Sequence, residues 1–301
     1  MKRAVVPVLL GILVFGTAVL LRHGPTEQSA MDTAQPDGAA QRIVSLSPSV
    51  TETLFALGLG PRVVGVTRFC AYPPEAKALP RVGGFVDPDY EALVSLSPDL
   101  AILRADNTEG LSRLAQLGIP CIAVSHTTLE GILTSIRDIG RRAGMEERAT
   151  GIIADFRARM DAASKRNRFD KPPRVLISVG RFMGSGSVKD VYAAGKDELY
   201  DEALRIAGAV NACGELGRKY PQLDAESILR LDPDLIIDLA ADRHNPEDHA
   251  AIIRDWQGVP GLRAAAEGRI RILTGDYVTV PGPRFIRLIE DVTAIVGEMA
   301  K

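Results

Sequence analysis

The chain has 301 residues, with 36 lysines and arginines against 38 aspartates and glutamates, 46% hydrophobic residues, 5% aromatics and three cysteines. That length carries one large domain or two ordinary ones, and the apolar and charged fractions exclude a disordered chain. The near-balance of charge excludes nucleic acid as the main partner, because phosphate binding needs a basic excess, and three cysteines without CxxC spacing exclude a disulfide scaffold or zinc ribbon.

Lys2 and Arg3 precede an apolar run from Ala4 to Leu21. As a helix this run would measure about 27 Å, close to the hydrocarbon thickness of a bilayer. A basic head before an uncharged apolar stretch reads as an export segment over residues 1–22, either a cleaved signal peptide or an uncleaved inner-membrane anchor. The first cysteine is Cys70, so no thiol follows the run to carry a lipid. Residues 23–41, rich in Ala, Gln, Asp, Gly and Pro, read as a flexible tether. The mildly acidic body beyond it is therefore expected outside the cytoplasmic membrane, in the periplasm.

An N-terminal lobe is expected over residues 42–128. Arg42 to Leu46 reads as a buried strand. Ser49 and Glu52 have capping-box spacing and open a helix through Leu57, ended by Gly58 and Gly60-Pro61. Arg62 to Thr67 is strand, and Asp89 caps a short helix through Leu96 that Pro98 stops. Leu100 to Leu103 is strand, Leu111 to Leu117 helix, and Ile119 to Val124 strand. This alternation predicts an α/β unit with a mainly parallel sheet.

Linking helices are expected over residues 129–169. Leu129 to Ala143 forms one, ended by Gly144. Glu146 to Asn167 forms the other, with Ile152, Ile153, Phe156 and Met160 on one face. At about 33 Å it would be a rod as long as a small domain is wide, resisting large hinge motion. Over residues 170–301 the pattern starts again as a C-terminal lobe: Arg174 to Val179 strand, Lys196 to Ala207 helix, Ala225 to Leu231 helix, Leu235 to Leu239 strand. One segment repeats without a gap. Asp89–Asp99 (DYEALVSLSPD) aligns on Asp224–Asp234 (DAESILRLDPD), pairing Glu91 with Glu226, Leu96 with Leu231 and Pro98 with Pro233. The body is then two similar α/β lobes.

Arg42–Glu52 (RIVSLSPSVTE), Tyr72–Glu75 (YPPE), the twin glutamate segments, and Leu273–Tyr277 (LTGDY) followed by Pro283-Arg284 resemble the iron-chelate/vitamin B12 periplasmic binding proteins of ABC importers. The resemblance covers residues 42–301. It implies two α/β lobes with mainly parallel sheets, joined by one long rigid helix, with a ligand cleft between them. It implies capture of a metal chelate (cobalamin, a ferric siderophore or haem) and delivery to an inner-membrane permease dimer with its ATPase subunits, with no catalytic residue and no resident cofactor. Glu91 and Glu226 match the family's permease-docking glutamates, one per lobe. Each falls in a first helical turn, where the helix dipole favours an anion. Phe69, Tyr72, Phe85, Arg104, Arg181, Phe182, Tyr220, Asp276, Tyr277 and Arg284 fall on the loops that face the ligand in the family. Aromatic faces suit a flat macrocycle or catechol, and arginine suits carboxylate or catecholate oxygens. The family's B12-binding members are rich in tryptophan here, whereas this chain has only Trp256, with Phe85 and Tyr220 at aromatic positions and Arg104 where an aromatic is expected.

Other features point elsewhere than chemistry. His23, His126, His244 and His249 show no metal-ligand spacing and read as surface residues. Cys121 reads as a core residue, while Cys70 and Cys213 fall in loops, one per lobe, with a disulfide left open. Gly184–Ser187 (GSGS) is not followed by Gly-Lys-Ser/Thr, so it is no P-loop. The competing reading is a membrane-tethered sensor or assembly protein using the same fold to bind a partner.

Overall fold

The computed structural model describes residues 38–300; the expected export segment and the tether up to residue 37 lie outside the described residues. Among the described residues no helix is long and apolar enough to cross a membrane.

The first lobe runs β1 (Ile43–Ser45), α1 (Pro48–Ala56), β2 (Val63–Val66), α2 (Tyr90–Ser95), β3 (Leu100–Arg104), α3 (Thr108–Gln116) and β4 (Cys121–Val124). Its strands form one sheet in the order β2-β1-β3-β4, every pair parallel. Parallel strands buried on both faces need continuous apolar runs, and Leu100, Ala101, Ile102 and Leu103 are all buried. Helix α1 is capped by Ser47, whose hydroxyl accepts from the Val50 amide. The capping box expected from Ser49 and Glu52 does not form: Pro48 takes the first helical position, which moves the cap upstream and frees Glu52 for another partner.

Helix α4 (Leu129–Ala143) then packs on α5 (Glu146–Ser164), which at 19 residues is about 28 Å long. It ends three residues before the expected Asn167, because Asn167 turns its amide onto the carbonyls of Ala207 and Thr293. Near its start Arg148 Nε donates to the Ala56 carbonyl of the first lobe. Near its end Arg159 pairs with Glu290 of the second. One helix is thus anchored to both lobes.

The second lobe runs β5 (Arg174–Gly180), β6 (Val191–Ala193), α6 (Leu199–Ile206), β7 (Val210–Asn211), β8 (Gln222–Leu223), α7 (Ala225–Leu231), β9 (Leu235–Leu239), α8 (Pro246–Gln257), α9 (Arg263–Ala266), β10 (Ile270–Leu273) and α10 (Phe285–Gly297). Its sheet has the order β10-β9-β5-β6-β8, with β7 beside the start of β5. The β10-β9-β5 part is parallel, and β6 and β8 add an antiparallel edge. Helix α6 starts at Leu199 rather than Lys196, because Glu198 is its cap, accepting from the Tyr200 and Asp201 amides. Helix α10 lies on α5 and α6 and buries Phe285, Leu288, Ile289 and Val292 in a core that continues into the first lobe.

The repeat extends from sequence into backbone detail. Asp89 and Asp224 cap α2 and α7 through the amides of Ala92 and Ser227. Ser97 and Asp232 end those helices in the left-handed region, at φ 45° and 40°. Asp99 then accepts from the Arg42 amide at the start of β1, and Asp234 from the Arg174 amide at the start of β5. Arg42 and Arg174 donate to the carbonyls of Leu96 and Leu231. The same residues thus splice helix to strand in each lobe.

Candidate functional site

In a parallel sheet the loops beyond the carboxyl ends of the strands form the natural crevice. Here those loops carry Phe69 after β2, Asp106 after β3, His126 after β4, Arg181 and Phe182 after β5, and Asp276 and Tyr277 after β10.

The two lobes meet at a buried ion pair. Glu52 on α1 and Arg284 at the start of α10 form a two-pronged contact, Nε to Oε2 at 2.9 Å, with side chains 3% and 12% exposed. Arg284 also pairs with Asp276 at 2.9 Å, and its guanidinium lies 3.4 Å from the centroid of the Tyr72 ring. The loop before α10 comes close enough that a Cβ on Gly282 would lie 3.2 Å from Glu52 Oε2, so a larger residue there would press on the Glu52 carboxylate. Burial raises the Glu52 carboxyl above its usual range, against the downward pull of Arg284. A pocket of about 320 Å³ opens beside the pair, lined by Phe55, Tyr72 and Glu75 from one lobe and Pro283 from the other. A second tie runs from the Leu129 amide to Glu202 on α6.

A second cluster faces across the cleft. Arg104 lies over the Phe85 ring at 5.4 Å and pairs with Asp106. Asn107 holds the loop by donating to the Phe85 carbonyl and capping α3. Opposite, Tyr220 is half exposed, and its hydroxyl reaches Glu198 at 3.4 Å. Arg104 is near enough to act on Tyr220 electrostatically; burial, first, and Glu198 push that phenol up to about 12. Gly195 fixes this loop, since a Cβ there would stand 1.8 Å from the Arg218 carbonyl. Burial lifts the Glu198 carboxyl to about 7.

His126 is buried at the base of the first lobe's loops rather than on the surface as expected. Its Nδ1 shares a hydrogen bond with Ser49 Oγ at 2.8 Å, and its Nε2 has no partner among the described residues. Burial, with the nearby Arg104 charge, lowers it to about 4, so it is neutral near pH 7.

Not every expected ligand-facing residue stands in the crevice. Arg181 has a fully buried side chain between Asp238 and Asp255, over the ring of buried Trp256. It cannot meet a ligand without breaking two ion pairs in the core. Asp255 also accepts from the amides of Gly184 and Gly186, so a carboxylate of the chain fills the glycine-rich loop. Tyr277 turns inward and donates to Asp291 on α10 at 2.6 Å. Phe182 and Phe69 are exposed at 76% and 56%, Phe69 under the guanidinium of Arg68. Cys70 and Cys213 lie in loops, as expected, and are buried free thiols. Cys70 receives a hydrogen bond from Thr51, and burial pushes Cys213 up to about 12.

Glu52, His126 and Glu198 escaped the sequence reading of the site. Glu52 read as a capping residue, and only its partner 232 positions away reveals its role. Glu198 had a usable signal, an acid directly before an apolar helical stretch.

Glu91 and Glu226 are both exposed in the first turns of α2 and α7. A helix feeding a parallel strand runs back along the sheet, so its N-terminus lies at the crevice end. Both glutamates therefore crown the crevice side of their lobes. Glu226 makes an exposed contact with Arg230 at 3.2 Å.

Comparison with known proteins agrees with this architecture. The chain is 28% identical over 264 residues to the vitamin B12-binding protein of Vibrio campbellii, covering 87% of this chain and 91% of that one. It is 29% identical over 257 residues to an uncharacterized ABC transporter substrate-binding lipoprotein of Bacillus subtilis, YvrC, covering 83% and 78%. Its fold matches the periplasmic heme-binding protein RhuT of Roseiflexus sp. RS-1 with a TM-score of 0.72 at 27% identity, covering 87% of this chain and all of that one. Residues 43–277 match the family model described as periplasmic binding protein, and with its repeated two-lobe architecture the chain belongs to that family.

Proposed function

We propose that this protein is the substrate-binding component of an ABC importer, which captures a metal chelate between its lobes and hands it to a membrane permease. The observation that carries the reading is the interlobe crevice with aromatic rings on both sides, Phe85 and Tyr72 from one lobe and Tyr220 from the other, in a chain of this family. Ring faces suit the flat, weakly hydrated surface of a macrocycle or wrapped chelate. The names of the relatives, vitamin B12-binding and heme-binding, support a chelate as ligand.

Glu91 and Glu226 serve as the docking pair for the permease. Related by the internal repeat, they match a twofold-symmetric partner. Each exposed ion pair would contribute only about 0.2–1 kcal/mol, so the pair sets register and encounter rate more than affinity. The protein acts in the periplasm, delivered by residues 1–22.

The test is the visible absorption spectrum of protein isolated from its native host, followed by titration with cobalamin, haem and ferric siderophores. A bound chromophore, or saturable binding of one of these, is expected. A colourless protein that binds none of them refutes the reading.

A further inference from the structure

We propose that the crevice selects a chelate without net negative charge, an uncharged or cationic complex, held by ring faces and hydrogen bonds rather than by ion pairs. The proposal rests on the reading of the protein as a chelate receptor.

The arginines expected to face the ligand (Arg104, Arg181 and Arg284), and Arg68 beside Phe69, are already matched by carboxylates of the chain. Arg68 places both terminal nitrogens on Asp87 at 3.0 Å. Arg104 pairs with Asp106. Arg284 holds Glu52 and Asp276. Arg181 is enclosed by Asp238 and Asp255. Four guanidiniums thus meet six carboxylates. Arg104 and Arg284 also lie against the rings of Phe85 and Tyr72, which fixes their planes. His126, neutral at its shifted pKa, adds no cation, and Glu198 behind Tyr220 becomes anionic above pH 7.

An anionic ligand would have to take a guanidinium from its present partner. At Arg284 this would strand Glu52, 3% exposed, without a counterion. At Arg181 it would strand two core aspartates. Arg68 and Arg104 are loosely held, since Asp87 is 61% and Asp106 53% exposed and water would take over their solvation. Lys196, Arg218 and Lys219, near Tyr220, are exposed and make no ion pair among the described residues, but they stand beside exposed Asp197 and Glu215. Contacts to such solvated charges are screened and contribute little. The rim tolerates an anionic edge, and the interior does not reward one.

The experiment is equilibrium titration of the purified protein with four probes at low and high salt. Cyanocobalamin and a ferric trihydroxamate carry no net negative charge, haem carries two propionates, and a ferric tris-catecholate is a trianion. The expected result is that at least one of the first two binds ~10-fold or more tighter than both anions, with affinity nearly independent of salt. Asp106→Asn, which frees Arg104, should move the preference several-fold toward the anions, about the effect of one exposed charge. Tighter binding of haem or the tris-catecholate, falling steeply with salt, overturns the charge preference and leaves the receptor reading standing. Binding of none of the four overturns the receptor reading, and the charge preference with it.

Discussion

The ion pair between Glu52 and Arg284 joins two lobes through side chains 232 positions apart, and its removal should be felt by the whole molecule. Arg284→Met keeps the length of the side chain but leaves the Glu52 carboxylate buried without its counterion. Breaking one side of a buried pair costs about 3–5 kcal/mol. Glu52 relieves part of this by taking up a proton, so about 3 kcal/mol is expected at neutral pH and less under acid conditions. For a body of this size that corresponds to a fall in Tm of roughly 6–12 °C. Glu52→Gln in the same background removes the stranded charge and should restore most of the loss, a coupling of about 2 kcal/mol in a double-mutant cycle. The assay is urea unfolding followed by fluorescence of Trp256, the one tryptophan, buried in the second lobe. One core cluster runs through both lobes, so a single transition should report on the pair. A coupling below about 0.5 kcal/mol would refute the reasoning, because a pair of that strength behaves as if solvated.

Three further outcomes follow from the geometry. Glu198 binds its proton more tightly folded than unfolded, from an ordinary 4.5 up to about 7, so stability falls as pH rises through that window. His126 binds its proton less tightly folded, from 6.5 down to about 4, so stability rises with pH there. The two slopes oppose each other at roughly 1.4 kcal/mol per pH unit each; in denaturation at stepped pH between about 4.5 and 6.5, the slope of stability against pH should turn more positive than the parent's in Glu198→Gln and more negative in His126→Asn. Asp255→Ala leaves buried Arg181 with Asp238 alone and frees the Gly184 and Gly186 amides; a loss of about 3 kcal/mol and faster hydrogen exchange at those amides are expected, and unchanged exchange argues against the lock. Glu91→Ala combined with Glu226→Ala should leave chelate affinity intact while abolishing uptake in cells carrying the permease; normal uptake would remove the docking role.

Much of this molecule was written locally. Burial on both faces makes a parallel strand a continuous apolar run, so Leu100 to Leu103 and Leu235 to Leu239 were legible without a structure. The repeat was legible for a similar reason: the acid before the helix, the proline after it and the aspartate at the strand each act within a few residues of their place in the chain. The site was less legible. Asp276, Tyr72 and Arg284 do come together, but Arg181 and Tyr277 turn into the lobe, and Arg104 comes within electrostatic reach of Tyr220 only because the lobes face each other. A loop position tells that a side chain can face the crevice, not which partner claims it.

The charge that opened the reading divides along the same line. Sequence by itself determined a near-neutral, two-lobed α/β chain with paired glutamates at equivalent helix starts, because period, caps and repeat are short-range properties. Only the tertiary structure decided which of those charges remain available. Pairing depends on distances between segments remote in sequence, and it consumed Arg284 in a contact with Glu52 and drew Arg181 out of the crevice to Asp238 and Asp255.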